Sequence, residues 1–153
     1  MDVELRPTRQ VEAVAISQWR YEQPYSFYDG TADPGDLALL LDEKSREGRH
    51  FSAFDQDEEL VGFFSFTVEE GDVIVGLGLR PDLAGRGLGL AFVEAGLAFA
   101  RGRFRPSRFR LSVATFNERA IRVYERAGFE PIRTYDHETN GGVHPFLEMV
   151  RPA

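Results

Sequence analysis

The sequence predicts one α/β domain over residues 1–153, with a mixed and largely antiparallel central sheet flanked by helices. Three observations carry this expectation. Residues 50–79 hold three strand-like runs separated by tight turn signals, which pair most simply as an antiparallel set. Two runs of helical length, 88–100 and 117–127, each follow a strand. The length suits a single core, with no internal repeat, long linker or low-complexity tract to divide it.

Each element has its own warrant. Residues 3–6 predict a first strand, which Pro7 and Thr8 end. A helix follows, with Val11, Val14, Ala15 and Trp19 near helical spacing. The stretch WRYEQPYSFYDG gathers Trp19, Tyr21, Tyr25, Phe27 and Tyr28 around Pro24 and fits no period, so it is a loop or a short distorted helix. Asp33 is an N-cap with Pro34 at the first helical position, and that helix runs to about Lys44 with Leu37, Leu40 and Leu41 inward. Strands at 50–54, 60–68 and 73–79 are joined by an acidic turn, 55–59, and by a turn around Gly71. Residues 88–100 carry a charge only at Glu94, which fits a helix pressed on a sheet. Residues 109–114 form a strand. Asn117 opens a helix that Gly128 closes. The last strands, 129–135 and 145–150, are separated by the glycines of TNGG.

Composition excludes several function classes. There are 25 acidic and 18 basic residues, a net charge of -7, which argues against a nucleic-acid partner. There is no cysteine, so disulfides, zinc–thiolate sites and thiol catalysis are ruled out. MDVELRPTRQ has no apolar core and is not a signal peptide. No apolar run reaches about 18 residues, so no membrane partner is expected and a cytoplasmic location is the default.

The junction RPDLAGRGLGLAF places Gly85, Gly87 and Gly89 at alternate positions between a strand and a helix. Such a turn exposes backbone N–H groups, and the first turn of a helix has no internal partners for its own. An anion can sit directly on those donors, with a modest contribution from the helix dipole. A diphosphate is the obvious guest, and Arg86 could add a charge-assisted contact. The Walker pattern needs Lys followed by Ser or Thr, which is missing. The GxGxxG register fails at Leu90 or at Phe92. The plain alternative is that these glycines only turn the chain and let helix and sheet pack closely. A second segment, NERAIRVYERAGF, carries Asn117 as an N-cap, Tyr124 two turns later on roughly the same face, and Gly128 as a left-handed stop.

The two segments in this order resemble the GNAT family of N-acetyltransferases. The acyl-CoA loop pattern falls on AGRGLG, residues 84–89, and the second pattern on Asn117, Ala120, Tyr124, Gly128 and Phe129. The resemblance implies a GNAT-like fold over nearly the whole chain and transfer of an acetyl group from acetyl-CoA to an amine. It implies that the loop from Ala84 through Gly85, Arg86, Gly87, Leu88, Gly89 and Leu90 holds the pyrophosphate by its backbone. Leu77 and Leu79 would pair with the pantetheine arm, and Gly76 and Gly78 would form a bulge that splays this strand from the next. Asn117 would lie near the pantetheine. Tyr124 would be the general acid for the departing thiolate, and an N–H near Leu79 would polarise the thioester carbonyl. Ala84 departs from the pattern, which prefers Gln or Arg there.

Many relatives carry a glutamate base on the fourth strand, but VIVGLGL has no acid. Glu69, Glu70, Asp72, His137, His144 and water are the alternatives. The acceptor, a small-molecule or peptide amine, would sit among Trp19, Tyr25, Tyr28 and His144, with Glu22, Asp29 or Glu148 favouring a cation. The same rings could instead form a satellite cluster or a homodimer contact. The other reading of the whole is a catalytically inactive acyl-CoA-binding sensor or structural module.

Overall fold

The computed structural model describes residues Met1–Ala153. Seven strands form one sheet in the order β1-β2-β3-β4-β5-β7-β6. They are β1 (Glu4–Pro7), β2 (His50–Phe54), β3 (Leu60–Glu69), β4 (Asp72–Leu79), β5 (Arg108–Ala114), β6 (Glu130–Thr139) and β7 (Gly142–Pro152). Every neighbouring pair is antiparallel except β4 and β5, which run parallel. The helices are α1 (Gln10–Ser17), α2 (Pro34–Leu41), α3 (Glu43–Arg46), α4 (Gly89–Phe104) and α5 (Glu118–Arg126). A short 3-10 turn, Tyr25–Tyr28, lies in the aromatic connection.

Helix α4 is the parallel crossover from β4 to β5, as a parallel pair requires. It buries Phe92, Val93, Leu97 and Ala100 against Phe51, Phe64, Phe66 and Val75 of the sheet. Phe64 stacks on Phe92 with ring centroids 4.4 Å apart. Period-2 alternation along β3 sends Phe64 and Phe66 into this core and Phe63, Ser65 and Thr67 to the opposite face.

Several boundaries depart from the sequence reading. The helix expected from Pro34 to about Lys44 breaks at Asp42, whose extended backbone (φ -95°, ψ 117°) and side chain cap a new turn through Ser45 N–H at 3.0 Å. Helix α1 stops at Ser17, so Trp19 lies beyond it. Its inward face is Ala13 and Ile16, while Val11 is 64% exposed and Val14 40% exposed. Glu12 takes an inward position because Arg9 pairs with it and its carboxylate accepts the Arg9 amide. Strands β6 and β7 are longer than expected. Asn140 (φ 54°) and Gly141 (φ 74°) make a two-residue hairpin turn, so the ladder continues to Thr139↔Gly142.

The bulge expected at Gly76 and Gly78 is not there. The β3–β4 register runs unbroken from Gly62↔Leu79 to Glu69↔Asp72. The glycines serve a close approach instead: a Cβ on Gly78 would meet the Phe63 ring, and one on Gly76 would meet the Ser65 hydroxyl.

Candidate functional site

Strands β4 and β5 pair only from Asp72↔Arg108 to Ile74↔Arg110, and then part. Both continue beyond that point, so a wedge opens between them. Its closed end is tied by charge. Asp72 Oδ2 lies 2.9 Å from Arg108 Nη2 and 3.0 Å from Arg110 Nε. Hydrogen bonding from Arg108, with both arginine charges adding, holds the Asp72 carboxyl below the usual carboxylate range.

The wedge is a cavity of about 680 Å³. On one wall the Arg80 amide donates to the Val61 carbonyl at 2.8 Å. Alternation in the antiparallel ladder then turns the N–H and C=O groups of Leu77 and Leu79 toward the gap. Leu111 and Val113 of β5 form the other wall, and α5 closes the side with Ala120, Val123 and Tyr124.

At the mouth lies the glycine loop. Gly85 (φ +73°) and Gly87 (φ +78°) hold left-handed backbone that a β-carbon disfavours. The amides of residues 85–91 donate to no group of the chain. Leu88 occupies the N-cap of α4 without a capping side chain, so the end of a 16-residue helix presents bare donors to the wedge. Ala84, Gly85, Gly87, Gly89 and Leu90 line the cavity; the side chains of Arg86 and Leu88 do not. The Arg86 guanidinium turns back to the Asp82 carbonyl at 3.4 Å. Arg119, Arg122 and Arg126 line the cavity, and Arg119 lies beside Gly85 and over the Tyr25 ring at 4.0 Å.

Asn117 and Tyr124 both face the wedge. Asn117 Oδ1 accepts the Ala120 amide at 3.1 Å, the N-cap bond its position called for. The Tyr124 ring packs edge-on to Phe129 at 6.1 Å. Burial, with Tyr28 adding, pushes its hydroxyl well above the ordinary tyrosine value, so the group stays protonated at neutral pH.

A second cavity, about 510 Å³, lies on the sheet face opposite α4. Its floor is His50, Phe63, Ser65 and Thr67. Its walls come from the aromatic connection, α2, the end of α3 and the β6–β7 hairpin. Tyr21, Tyr28 and Phe63 line both cavities, which adjoin there. The Tyr21 hydroxyl donates to the Leu79 carbonyl at 2.6 Å, and its amide donates to Asp29 Oδ1 at 2.8 Å. The Ala114 amide donates to the Tyr28 hydroxyl at 3.3 Å. Trp19 tilts over Phe63 with centroids 6.3 Å apart.

The proposed acceptor residues therefore separate. Trp19 and Tyr28 line this second cavity, Tyr25 lines only the wedge, and His144 lines neither, lying edge-on to Phe27 at 4.9 Å. Among the suggested acids Asp29 is in the cavity, whereas Glu22 and Glu148 are not. Glu148 bonds to Arg133 at 3.3 Å. Glu69, Glu70 and Asp72 line neither cavity, and Asp72 is spent on its two arginines. His137 does line the second cavity.

The sequence reading missed Arg46, His50, Asp36, Phe63 and Arg119 as site residues and saw Asp33 only as a cap. Asp33 Oδ2 accepts the Asp36 amide at 3.0 Å. Burial, reinforced by the neighbouring Asp33, raises the Asp36 carboxyl above its ordinary value. His50 Nδ1 lies 2.7 Å from the Thr8 hydroxyl, and its ring stacks on Phe63 at 5.2 Å. Burial and the charge of Arg46 hold its pKa down to about 4.

Known proteins share this architecture. A spermidine N-acetyltransferase from Vibrio cholerae, solved with CoA and spermine, superposes with TM-score 0.79 over 98% of this chain and 95% of its own, at 18% identity. An acetyltransferase (GNAT family) from Bacillus anthracis gives 0.77 over 99% and 95%, at 13% identity. At these identities the likeness is one of fold. In sequence, the chain is 42% identical over 94 residues to a mycothiol acetyltransferase of Streptomyces coelicolor, covering 59% of this chain and 28% of that protein. The chain thus spans little more than a quarter of that relative's length. It is 25% identical to the peptidyl-lysine N-acetyltransferase YjaB of Salmonella typhimurium, over 99% of this chain and all of that one. The sequence profile of the acetyltransferase (GNAT) family matches residues 13–129, a stretch that takes in the end of α1, the glycine loop, the wedge and α5; the chain belongs to that family.

Proposed function

We propose that this chain moves an acetyl group from acetyl-CoA to a primary amine of a small molecule or peptide by direct attack on the thioester. The observation that carries this reading is the wedge itself. Two strands part along an unpaired edge, and a row of unpartnered amides, residues 85–91, stands at its mouth. An extended pantetheine arm fits the first feature as a missing strand would. A diphosphate fits the second.

The roles follow from position. The loop amides and Arg119 hold the diphosphate. Leu77 and Leu79 offer backbone groups to the arm. The Leu79 amide donates to the thioester carbonyl oxygen as negative charge develops there. The amine nitrogen bonds to the carbonyl carbon, the C–S bond breaks, and Tyr124 gives its proton to the departing sulfur. Its raised pKa keeps that proton available at neutral pH. No Asp, Glu or His lines the wedge, whereas the acceptor cavity holds Asp29, Asp33, Asp36 and His137. The proton lost by the amine leaves on that side, through water or one of these groups.

A second reading, acyl-CoA binding without turnover, is favoured by one observation: β4 presents Gly76 and Gly78, not a carboxylate, to the acceptor face. Calorimetric titration with acetyl-CoA, using ATP as control, followed by thiol release over an amine panel, separates the readings. Saturable acetyl-CoA binding with thiol release supports transfer. Binding without release from any amine supports the sensor. No binding at millimolar acetyl-CoA removes both.

A further inference from the structure

Arg46 is 4% exposed, the most buried arginine of the chain. It sits at the end of α3 and lines the acceptor cavity. Its Nη1 donates to the Leu40 carbonyl, in the last turn of α2, at 2.7 Å. That bond caps a helix end and uses one of five donors. Nε is sealed from solvent and donates to nothing. Nη2 also has no bond within the chain, and no Asp or Glu forms a salt bridge with this residue. The acid one turn earlier, Asp42, is turned away to the Ser45 amide and hydroxyl, at 3.0 and 2.6 Å.

A buried guanidinium with idle donors is costly unless something charged completes it. Capping Leu40 does not explain the rest of the group. Nη2 is not sealed, so a partner can reach it from the cavity that Arg46 lines. Arg49 lines the same cavity and adds a second positive charge. A purely cationic acceptor would set its ammonium against these arginines. The acids of this cavity, Asp29, Asp33 and Asp36, belong to the connection and to the start of α2, and can take a cationic part of the same ligand.

We propose that the acceptor is an amine that also carries an oxyanion, a carboxylate or a phosphate, and that Arg46 binds this oxyanion through Nη2. A charged guanidinium N–H donates to either group. His50 lies close enough to Arg46 to feel its charge and stacks on Phe63, which lines both cavities. The oxyanion therefore anchors beyond His50, and the amine reaches past Phe63 toward the thioester. This inference rests on the acetyl-transfer reading above and narrows its substrate class.

The test compares matched pairs with the wild-type protein at saturating acetyl-CoA. Amino acids are set against their carboxamides, phosphoethanolamine against ethanolamine, and spermidine is included as a pure polycation. The expected result is that kcat/KM for one oxyanion-bearing amine exceeds that of its neutral counterpart by about ten-fold or more. The carboxylate and phosphate arms decide which oxyanion it is. Arg46→Gln should bring that ratio close to one with the KM for acetyl-CoA unchanged, and Arg46→Lys should restore part of it. Equal or better turnover of spermidine and the carboxamides overturns the inference, as does an unchanged ratio in Arg46→Gln. If Arg46→Gln does not fold, the wild-type ratios decide alone. Calorimetric titration of the same pairs into CoA-saturated protein gives a readout free of chemistry. Binding of the oxyanion forms but not the neutral ones, with no thiol released, would count against acetyl transfer and for the Arg46 site; equal or absent binding counts against the site.

Discussion

The wedge and the acceptor cavity meet at Tyr21, Tyr28 and Phe63, yet they are built from opposite materials. The wedge is backbone: parted strands, positive-φ glycines and bare amides. The acceptor cavity is side chains gathered from seven elements and connections, from Ile16 of α1 to Phe146 of β7. A ligand recognised by backbone constrains residues in one local stretch of chain. A ligand recognised by side chains constrains positions scattered along it. On the acetyl-transfer reading, the donor side rests on one local stretch of backbone and the acceptor side on side chains far apart in the chain.

The strongest way to sharpen that contrast is Tyr124→Phe, which alters chemistry on the wedge side alone. We expect kcat to fall by roughly 10²-fold or more while acetyl-CoA affinity changes little; steady-state kinetics beside calorimetry would show it. Unchanged turnover would strip Tyr124 of its role.

The next effect belongs to the acceptor floor. His50 has a folded pKa of about 4 against an ordinary 6.5. Between those values the unfolded chain binds a proton that the folded chain refuses. Its contribution is thus complete above pH 6.5 and is lost as pH falls through 4. The loss is on the order of 3 kcal/mol. Denaturant melts of wild type and His50→Gln at pH 7.5 and 4.5 measure it, and parallel pH dependence in both proteins would contradict it.

Gly87→Val tests whether the loop is a backbone device. Nothing lies within 4 Å of a Cβ built there, so the effect is confined to left-handed strain of about 1–2 kcal/mol. Acetyl-CoA affinity should drop about ten-fold, and binding of acceptor ligands should be spared. Loss of both together would break the separation drawn here.

The smallest effect expected is from Tyr21→Phe, where the two cavities adjoin. Removing the 2.6 Å bond to the Leu79 carbonyl should cost about 1 kcal/mol of stability. It should raise the KM for acetyl-CoA and for the acceptor together, because the residue lines both spaces. A change in only one would assign Tyr21 to that side.

The same contrast explains what the sequence made legible. The order of elements along the chain, the helix at 88–100 and the glycine loop were visible because each rests on local pattern: turn signals, an apolar run of helical length, glycines at alternate positions. Asn117 announced itself as an N-cap. The Gly76–Gly78 pair misled, because a glycine in a strand serves a bulge and a close cross-strand ring equally well, and only the register decides. Helix α1 misled because its spacing pointed to Val11 and Val14, while Glu12, made buriable by Arg9, took an inward place. Arg46 and His50 carried no local signal at all. An arginine in EKSREGRH looks like a solvated charge until α2, α3 and β2 are folded around it. Arg119 was the exception that could have been found: it follows the motif Asn117 by two residues and faces the glycine loop.

The short parallel contact at Asp72–Ile74 has a mechanical consequence. Four strands lie on one side of it and three on the other. Their strands are hydrogen-bonded to each other at one end only; at the other, α4, α5 and the aromatic connection span the gap, with Tyr21 on the Leu79 carbonyl and Tyr28 on the Ala114 amide. An extended ligand in the wedge would bridge the two half-sheets as an inserted strand. Donor affinity and the cooperativity of unfolding would then be two measurements of one quantity, and amide exchange along β4 and β5 should slow in step with donor occupancy.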